Sequence, residues 1–203
     1  TSMVLGAYLA RQYIIRPCMN DDVIRGYMNQ AISNEIIPTL TLPEEELMSF
    51  AASVTDRFQN PFIDHALLSI SLNSTAKWKA RVLPSLEGYL EKTGQVPPCL
   101  SASLAFYLAF YKGIGFVDAT FTGDRNVKNQ YPISDDPKVL EFYDAHKDDS
   151  AADSVHAVLS ETSFWGKDLT TLAGLEETVV KDFTFIQEKG CYELMKQIVN
   201  AAE

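Results

Sequence analysis

Cysteine is scarce in this chain, and the little there is forms no framework. Cys18, Cys99 and Cys191 are odd in number, far apart and nowhere arranged as C-x-x-C, a usage that predicts a reducing, cytoplasmic compartment rather than a disulfide-stapled fold. Histidine is as sparse, and His65, His146 and His156 are too dispersed to suggest a metal cluster. Positive charge is also short: 17 Lys and Arg stand against 27 Asp and Glu, a net charge of -10 that repels phosphate backbones and anionic lipid. Nucleic acid and membrane surfaces are therefore not expected partners. No apolar run approaches the roughly 18 to 20 residues that cross a bilayer. What the chain does hold is ordinary globular material. Hydrophobic residues make up 46% and charged ones 22%, with 11 Phe, 9 Tyr and 2 Trp, which excludes a disordered chain. Its 203 residues suit one large domain, or a domain with a small appendage. A chain of this size buries about 70% of its unfolded surface.

The opening Thr1-Ser2-Met3-Val4-Leu5-Gly6-Ala7-Tyr8-Leu9 is apolar, with no basic stretch before it and no initiator Met. It reads as a piece of a longer protein rather than as a signal peptide. Asn73-Ser74-Thr75 matches a glycosylation acceptor, a pattern that chance produces often.

The dominant period is helical, and the expected fold is all-α. Asp21-Asp22 precedes apolar positions at three- and four-residue spacing from Val23 to Ile36, closed by Pro38. Leu42-Pro43-Glu44-Glu45-Glu46 opens a second helix that carries Leu47, Phe50, Ala51 and Val54 on its inner face and ends near Phe58. A third is expected from just after Pro61 to about Trp78, a fourth over Ser85 to Lys92 with Gly94 at its C-cap, and a fifth over Ser101 to Lys112. The fifth is apolar on all sides and therefore buried. From Gly113 to Pro137 the pattern collapses into Gly, Asp, Asn and Pro, one long irregular stretch of the kind that is often functional. Helical signals resume at Pro137 to His146, Ala151 to Leu159, Gly174 to Gln187 and Cys191 to Ala201. The acidic run from Asp144 to Asp153 reads as solvated surface.

Known catalytic signatures are missing. There is no P-loop, no G-x-S-x-G and no H-E-x-x-H, and Lys112-Gly113-Ile114-Gly115-Phe116 lacks the third glycine and the strand context of a dinucleotide-binding turn. One segment differs. On a continuous helix, His65, Ser69, Asn73 and Lys77 stand four apart and form one polar stripe on an otherwise apolar surface. Lys77 has two readings. It snorkels to solvent at the helix end, or it faces inward, where it pairs with an internal carboxylate or waits for an anionic ligand. Lys79 and Arg81 thicken the positive charge beside it.

Phe58-Gln59-Asn60-Pro61-Phe62-Ile63-x-His65, followed by Leu72-Asn73-Ser74-x-x-Lys77-Trp78-x-x-Arg81-Val82-Leu83-Pro84, resembles the C-terminal domain of the polyol-type long-chain dehydrogenases, the mannitol dehydrogenase family. Within it the chain is most similar to the branch that reduces tagaturonate to altronate. Glu35-Ile36-Ile37-Pro38-Thr39-Leu40, Tyr131-Pro132-Ile133-Ser134-Asp135-Asp136-Pro137 and Trp165-Gly166-Lys167-Asp168-Leu169 add to the resemblance, which runs from about Thr1 to Leu175.

The resemblance implies a helical substrate-binding domain over 1–203, similar to the C-terminal domain of 6-phosphogluconate dehydrogenase. It implies a separate N-terminal Rossmann domain that binds NAD, and a catalytic Lys-x4-Asn-x2-His motif expected just upstream of Thr1. This chain would then hold neither catalytic nor cofactor-binding residues and would not turn over alone. In the mannitol branch an Arg-x3-Asp-x3-Lys stripe faces the substrate. Its Lys falls on Lys77, while Ser69 and Asn73 replace the Arg and the Asp. That departure favours a substrate that brings its own carboxylate, a sugar acid held by Lys77 and Arg81 with His65, Asn73 and Ser69 nearby. The alternatives are a mannitol- or fructuronate-type reductase domain, and a non-catalytic helical interaction module.

Overall fold

The computed structural model describes residues 1–125 and 129–202. Residues 126–128, inside the stretch read as irregular, lie outside the described residues, as does Glu203 at the end of the expected domain. In chain order come α1 (Val4–Leu9), α2 (Ile15–Asn20), α3 (Asp22–Gln30), α4 (Glu44–Phe58), α5 (Leu67–Ser71), α6 (Ser74–Arg81), α7 (Leu83–Thr93) and α8 (Pro98–Tyr111). Three strands follow, β1 (Gly115–Val117), β2 (Thr120–Asp124) and β3 (Gln130–Pro132). The chain then closes with α9 (Pro137–Ala145), α10 (Ala151–Ser160), α11 (Thr162–Trp165), α12 (Leu175–Lys189) and α13 (Cys191–Asn200). The architecture is mostly helical, as the period predicts.

The core is organised around α8. From Cys99 to Tyr111 every residue but the half-buried Ala109 is buried, which is why this helix is apolar on all sides. It packs most extensively along α12, with α1 and α13 also against it. Its N-terminus is closed from a distance. Asp21 caps α3 by accepting from Val23 N and Ile24 N at 3.0 and 2.9 Å. The same run then widens into a π turn over Ala31–Ile36, followed by a 3-10 turn over Ile37–Thr39. This run turns Glu35 inward, where its two carboxylate oxygens accept from Cys99 N and Leu100 N at 2.7 and 2.8 Å. Burial pushes the Glu35 carboxyl up, against those two amide bonds. The three cysteines are free and buried.

The stretch from Gly113 to Pro137 is not irregular throughout. It holds an antiparallel sheet in the order β1-β2-β3, with Phe116 opposite Phe121 and Gly123 opposite Tyr131. Strands of three to five residues are too short to display a two-residue period, and their inward anchors reduce to Phe121 and Tyr131. The β1–β2 turn gives no sequence signal either. Asp118 and Ala119 both adopt positive φ, +46° and +63°, in a two-residue hairpin that usually advertises itself with Asn-Gly.

α4 also departs from expectation. Leu47, Phe50, Ala51 and Val54 were assigned to a buried face, yet no residue of α4 is buried and Phe50 is 66% exposed. Amphipathic spacing identifies the face but not how much of it a neighbour covers, and here α2 and the 3-10 turn cover only part.

Candidate functional site

The polar stripe does not lie on one helix. α5 ends at Ser71, Leu72 is extended (ψ +132°), Asn73 is left-handed (φ +52°, ψ +47°), and α6 starts at Ser74. His65 precedes α5 altogether. Its carbonyl accepts from Ile15 N at 3.0 Å, Leu67 N donates to Tyr13 O at 2.8 Å, and Ile14 bridges Ala66 antiparallel. The side chains of His65, Ser69, Asn73 and Arg81 are exposed and that of Lys77 is half-buried, so these residues share an open face rather than a buried one.

Side chains make the break. At the carbonyl end of α5, Ser71 Oγ donates to Leu68 O at 2.7 Å, Ser74 Oγ to Ser71 O at 2.6 Å and Lys77 Nζ to Ile70 O at 3.0 Å. Lys77 therefore folds back as a C-cap, leaving two of its three donors. Asn73 suits the left-handed position because its short polar side chain tolerates it better than other non-glycine residues do.

A clamp from distant sequence holds the far side of the break. Asn73 N donates to Ser134 O at 3.0 Å, and Thr75 donates from N and Oγ1 to Asp135 Oδ2 at 3.0 and 2.8 Å. Tyr111 OH donates to the same oxygen, and Tyr107 OH lies 2.7 Å from Thr75 Oγ1, whose own proton goes to Asp135. α6 is then wedged by its tryptophan: Trp78 meets Trp165 edge-on at 5.2 Å, and its Nε1 donates to Ser103 Oγ at 2.9 Å. Gly166, at φ +81°, ends α11 where a Cβ would stand 3.1 Å from Lys79 Nζ. Sequence reasoning quoted Asp135 and Trp165 within motifs but assigned them no role. The structure shows that Tyr131–Pro137 and Trp165–Leu169 both converge on α6.

The electrostatics of the face are positive. The amino end of the chain lies among Arg81 and Lys77. Both cations lie within electrostatic reach of Thr1. A cleft of about 350 Å³ opens beside α6, with Thr75, Lys79, Asp135 and Lys138 in its wall, and none of the five expected residues lines it. Among the described residues, no group of three or more His, Cys, Asp or Glu is placed to hold a metal ion, and no helix is long and apolar enough to cross a membrane.

Residues 1–187 match the family described as the mannitol dehydrogenase C-terminal domain. The chain belongs to that family. It is 38% identical over 196 residues to the altronate oxidoreductase of Yersinia enterocolitica, an alignment covering 94% of this chain and 38% of that protein. It is 39% identical over 204 residues to the altronate oxidoreductase of Klebsiella pneumoniae, covering 98% and 40%. The chain thus spans about two fifths of the length of these relatives. Among solved structures, Pseudomonas fluorescens mannitol 2-dehydrogenase, in a ternary complex with NAD and D-mannitol, superposes with a TM-score of 0.82 at 18% identity, over 98% of this chain and 38% of that one. D-sorbitol dehydrogenase in substrate-free form gives 0.74, also at 18%, over 96% and 37%. At that identity the two structures speak for the fold alone.

Proposed function

We propose that the chain is the substrate-binding C-terminal domain of an NAD-dependent cytoplasmic oxidoreductase that reduces tagaturonate, a keto-hexuronate, to altronate. In this reading its partner is its own N-terminal Rossmann domain, which carries the NAD and the Lys-x4-Asn-x2-His motif. The names of the relatives support the substrate class, and the NAD in the mannitol 2-dehydrogenase complex supports the cofactor. The observation that carries the reading within this chain is the placing of Lys77 and Arg81 one turn apart on α6, with Lys77 bound through only one of its donors.

When bound, NAD carries the hydride. This chain's residues would orient the substrate. Lys77 and Arg81 would hold its carboxylate through charge-assisted bonds, so that the carbonyl faces the other domain. Lys77 can do this with the donors that Ile70 O leaves free. His65, Ser69 and Asn73 would form the exposed rim. Ser69 and Asn73 in place of an Arg and an Asp suit an acid better than a neutral polyol.

In the full-length enzyme, Lys77→Ala should lower kcat/KM for tagaturonate about ten- to a hundredfold, with KM for NADH unchanged. It should cost only about 0.5–1.5 kcal/mol of stability, the worth of one lost carbonyl cap. Normal kcat/KM in a folded Lys77→Ala enzyme would overturn the anchor.

A further inference from the structure

A second cavity, of about 520 Å³, lies where the C-terminal ends of α1, α8 and α12 meet the end of β2. Its wall carries Lys112, Asp124, Arg125 and Lys147, with Phe183 and Cys191 on the apolar side, and Lys77 takes no part in it. Arg125 is the informative member. Its guanidinium carbon stands 3.6 Å from the centroid of the Tyr8 ring and 4.8 Å from that of Tyr13, with Tyr131 at 5.8 Å. Such stacking fixes the planar fork before any ligand arrives. Yet among the described residues the guanidinium meets no hydrogen-bond acceptor and no ion-pair partner, and its Nε is shielded from solvent as well.

Asp124 stands next to it in the same condition: its Oδ1 is buried without a partner. The lysines are more settled. Lys112 donates to Asp149 O and to Ser154 Oγ at 2.9 Å, and Lys147 pairs with Asp144 at 3.1 Å, so both add positive field while already engaged. Unsatisfied polar groups cost about 1–3 kcal/mol each in a buried setting, which makes two side by side unusual. The cavity falls within the range of about 300–1,000 Å³ typical of small-molecule sites.

The two orphan groups ask for complementary chemistry. An immobilised fork with free donors matches a carboxylate. The adjacent Asp124 repels a dianion and rewards a hydroxyl that donates to it. We propose that this cavity is a second ligand site for a small hydroxylated monocarboxylate, its carboxylate on Arg125 within the field of Lys147 and Lys112, and a hydroxyl donating to Asp124. The site is separate from the Lys77 face and does not depend on the substrate reading.

The test is calorimetric titration of the nucleotide-free full-length protein with D-gluconate, in the wild type and in Lys77→Ala, Arg125→Gln and Asp124→Asn. A saturable step should persist in Lys77→Ala. It should weaken about tenfold, or about 1.4 kcal/mol, in both Arg125→Gln and Asp124→Asn. Sorbitol and inorganic phosphate should not displace gluconate. If Arg125→Gln loses its fold with the tyrosine stack, Arg125→Lys keeps the charge, loses the fork and should bind gluconate more weakly. The proposal is overturned if no step survives Lys77→Ala, if folded Arg125→Lys and Asp124→Asn bind gluconate as the wild type does, or if phosphate competes equally. A kinetic defect in Lys77→Ala without cavity binding would sink this proposal and leave the substrate anchor standing.

Discussion

α8 and the α5–α6 segment are both rich in apolar residues, yet one is a single buried rod and the other is broken in the middle. α8 contains no residue that can offer the backbone an alternative partner strongly enough to interrupt it, and Ser101 and Ser103 merely donate to carbonyls three residues back. The other segment strings Ser69, Ser71, Asn73, Ser74, Thr75 and Lys77 together, and three of these side chains close the carbonyl end of α5. Helical spacing is common to both. Local competition for backbone hydrogen bonds, fixed by a distant carboxylate, separates them.

The comparison can be broken most forcefully at the rod. Phe106 is fully buried, 5.6 Å from Tyr27, and Phe106→Ala should cost about 3–5 kcal/mol, read as a lower denaturant midpoint. Next comes the clamp. Asp135→Ala orphans Thr75 N and the Tyr111 hydroxyl and should cost about 1–3 kcal/mol, with the loss of protection in hydrogen exchange concentrated at Ser74–Lys77. A uniform loss of protection would mean that the break is held by something else. The break itself can be sharpened at Asn73. Asn73→Ala should destabilise by about 1 kcal/mol and Asn73→Gly by much less, since only the left-handed conformation is at stake. Equal midpoints for the two variants would remove Asn73 from the account.

The effect on the flank of the rod is read against pH. Asp182 sits on α12, and burial pushes its carboxyl from 3.8 up to about 6, with Lys181 opposing. A raised folded-state value means that the native chain binds the proton more tightly than the unfolded chain does. Its contribution is therefore present below about pH 4 and is lost as pH rises through about 6. Asp182→Asn should flatten the stability profile across that window, measured as thermal midpoint against pH.

The rod was legible to within three residues, read as Ser101 to Lys112 and found at Pro98–Tyr111, because a run apolar on every side leaves no other way to satisfy its period. α9, α10, α12 and α13 were nearly as clear, marked by Pro137, Ser150 and Gly190 at their ends, while the single turn of α11 went unread. The break at Asn73 was not legible, since the clamp that holds its far side, Asp135, lies 60 residues from Thr75 in the chain. The sheet was not legible either, since strands of three to five residues hold too few alternations to establish a period. In the candidate site the sequence pointed to Lys77 and Arg81, which stand one turn apart on α6. It also placed His65 and Asn73 on a helix that does not run through them. Phase arguments fail wherever a single residue leaves the helix.

The edge-to-face contact of Trp78 with Trp165 has an optical consequence. These are the only two tryptophans in the sequence, each is 1% exposed, and each is tied to a different element of the same joint. Tryptophan emission from this chain therefore originates at one spot, the junction of α6 with α11. A red shift without loss of far-ultraviolet ellipticity would report that α6 has swung away from α11 while the rod remains intact.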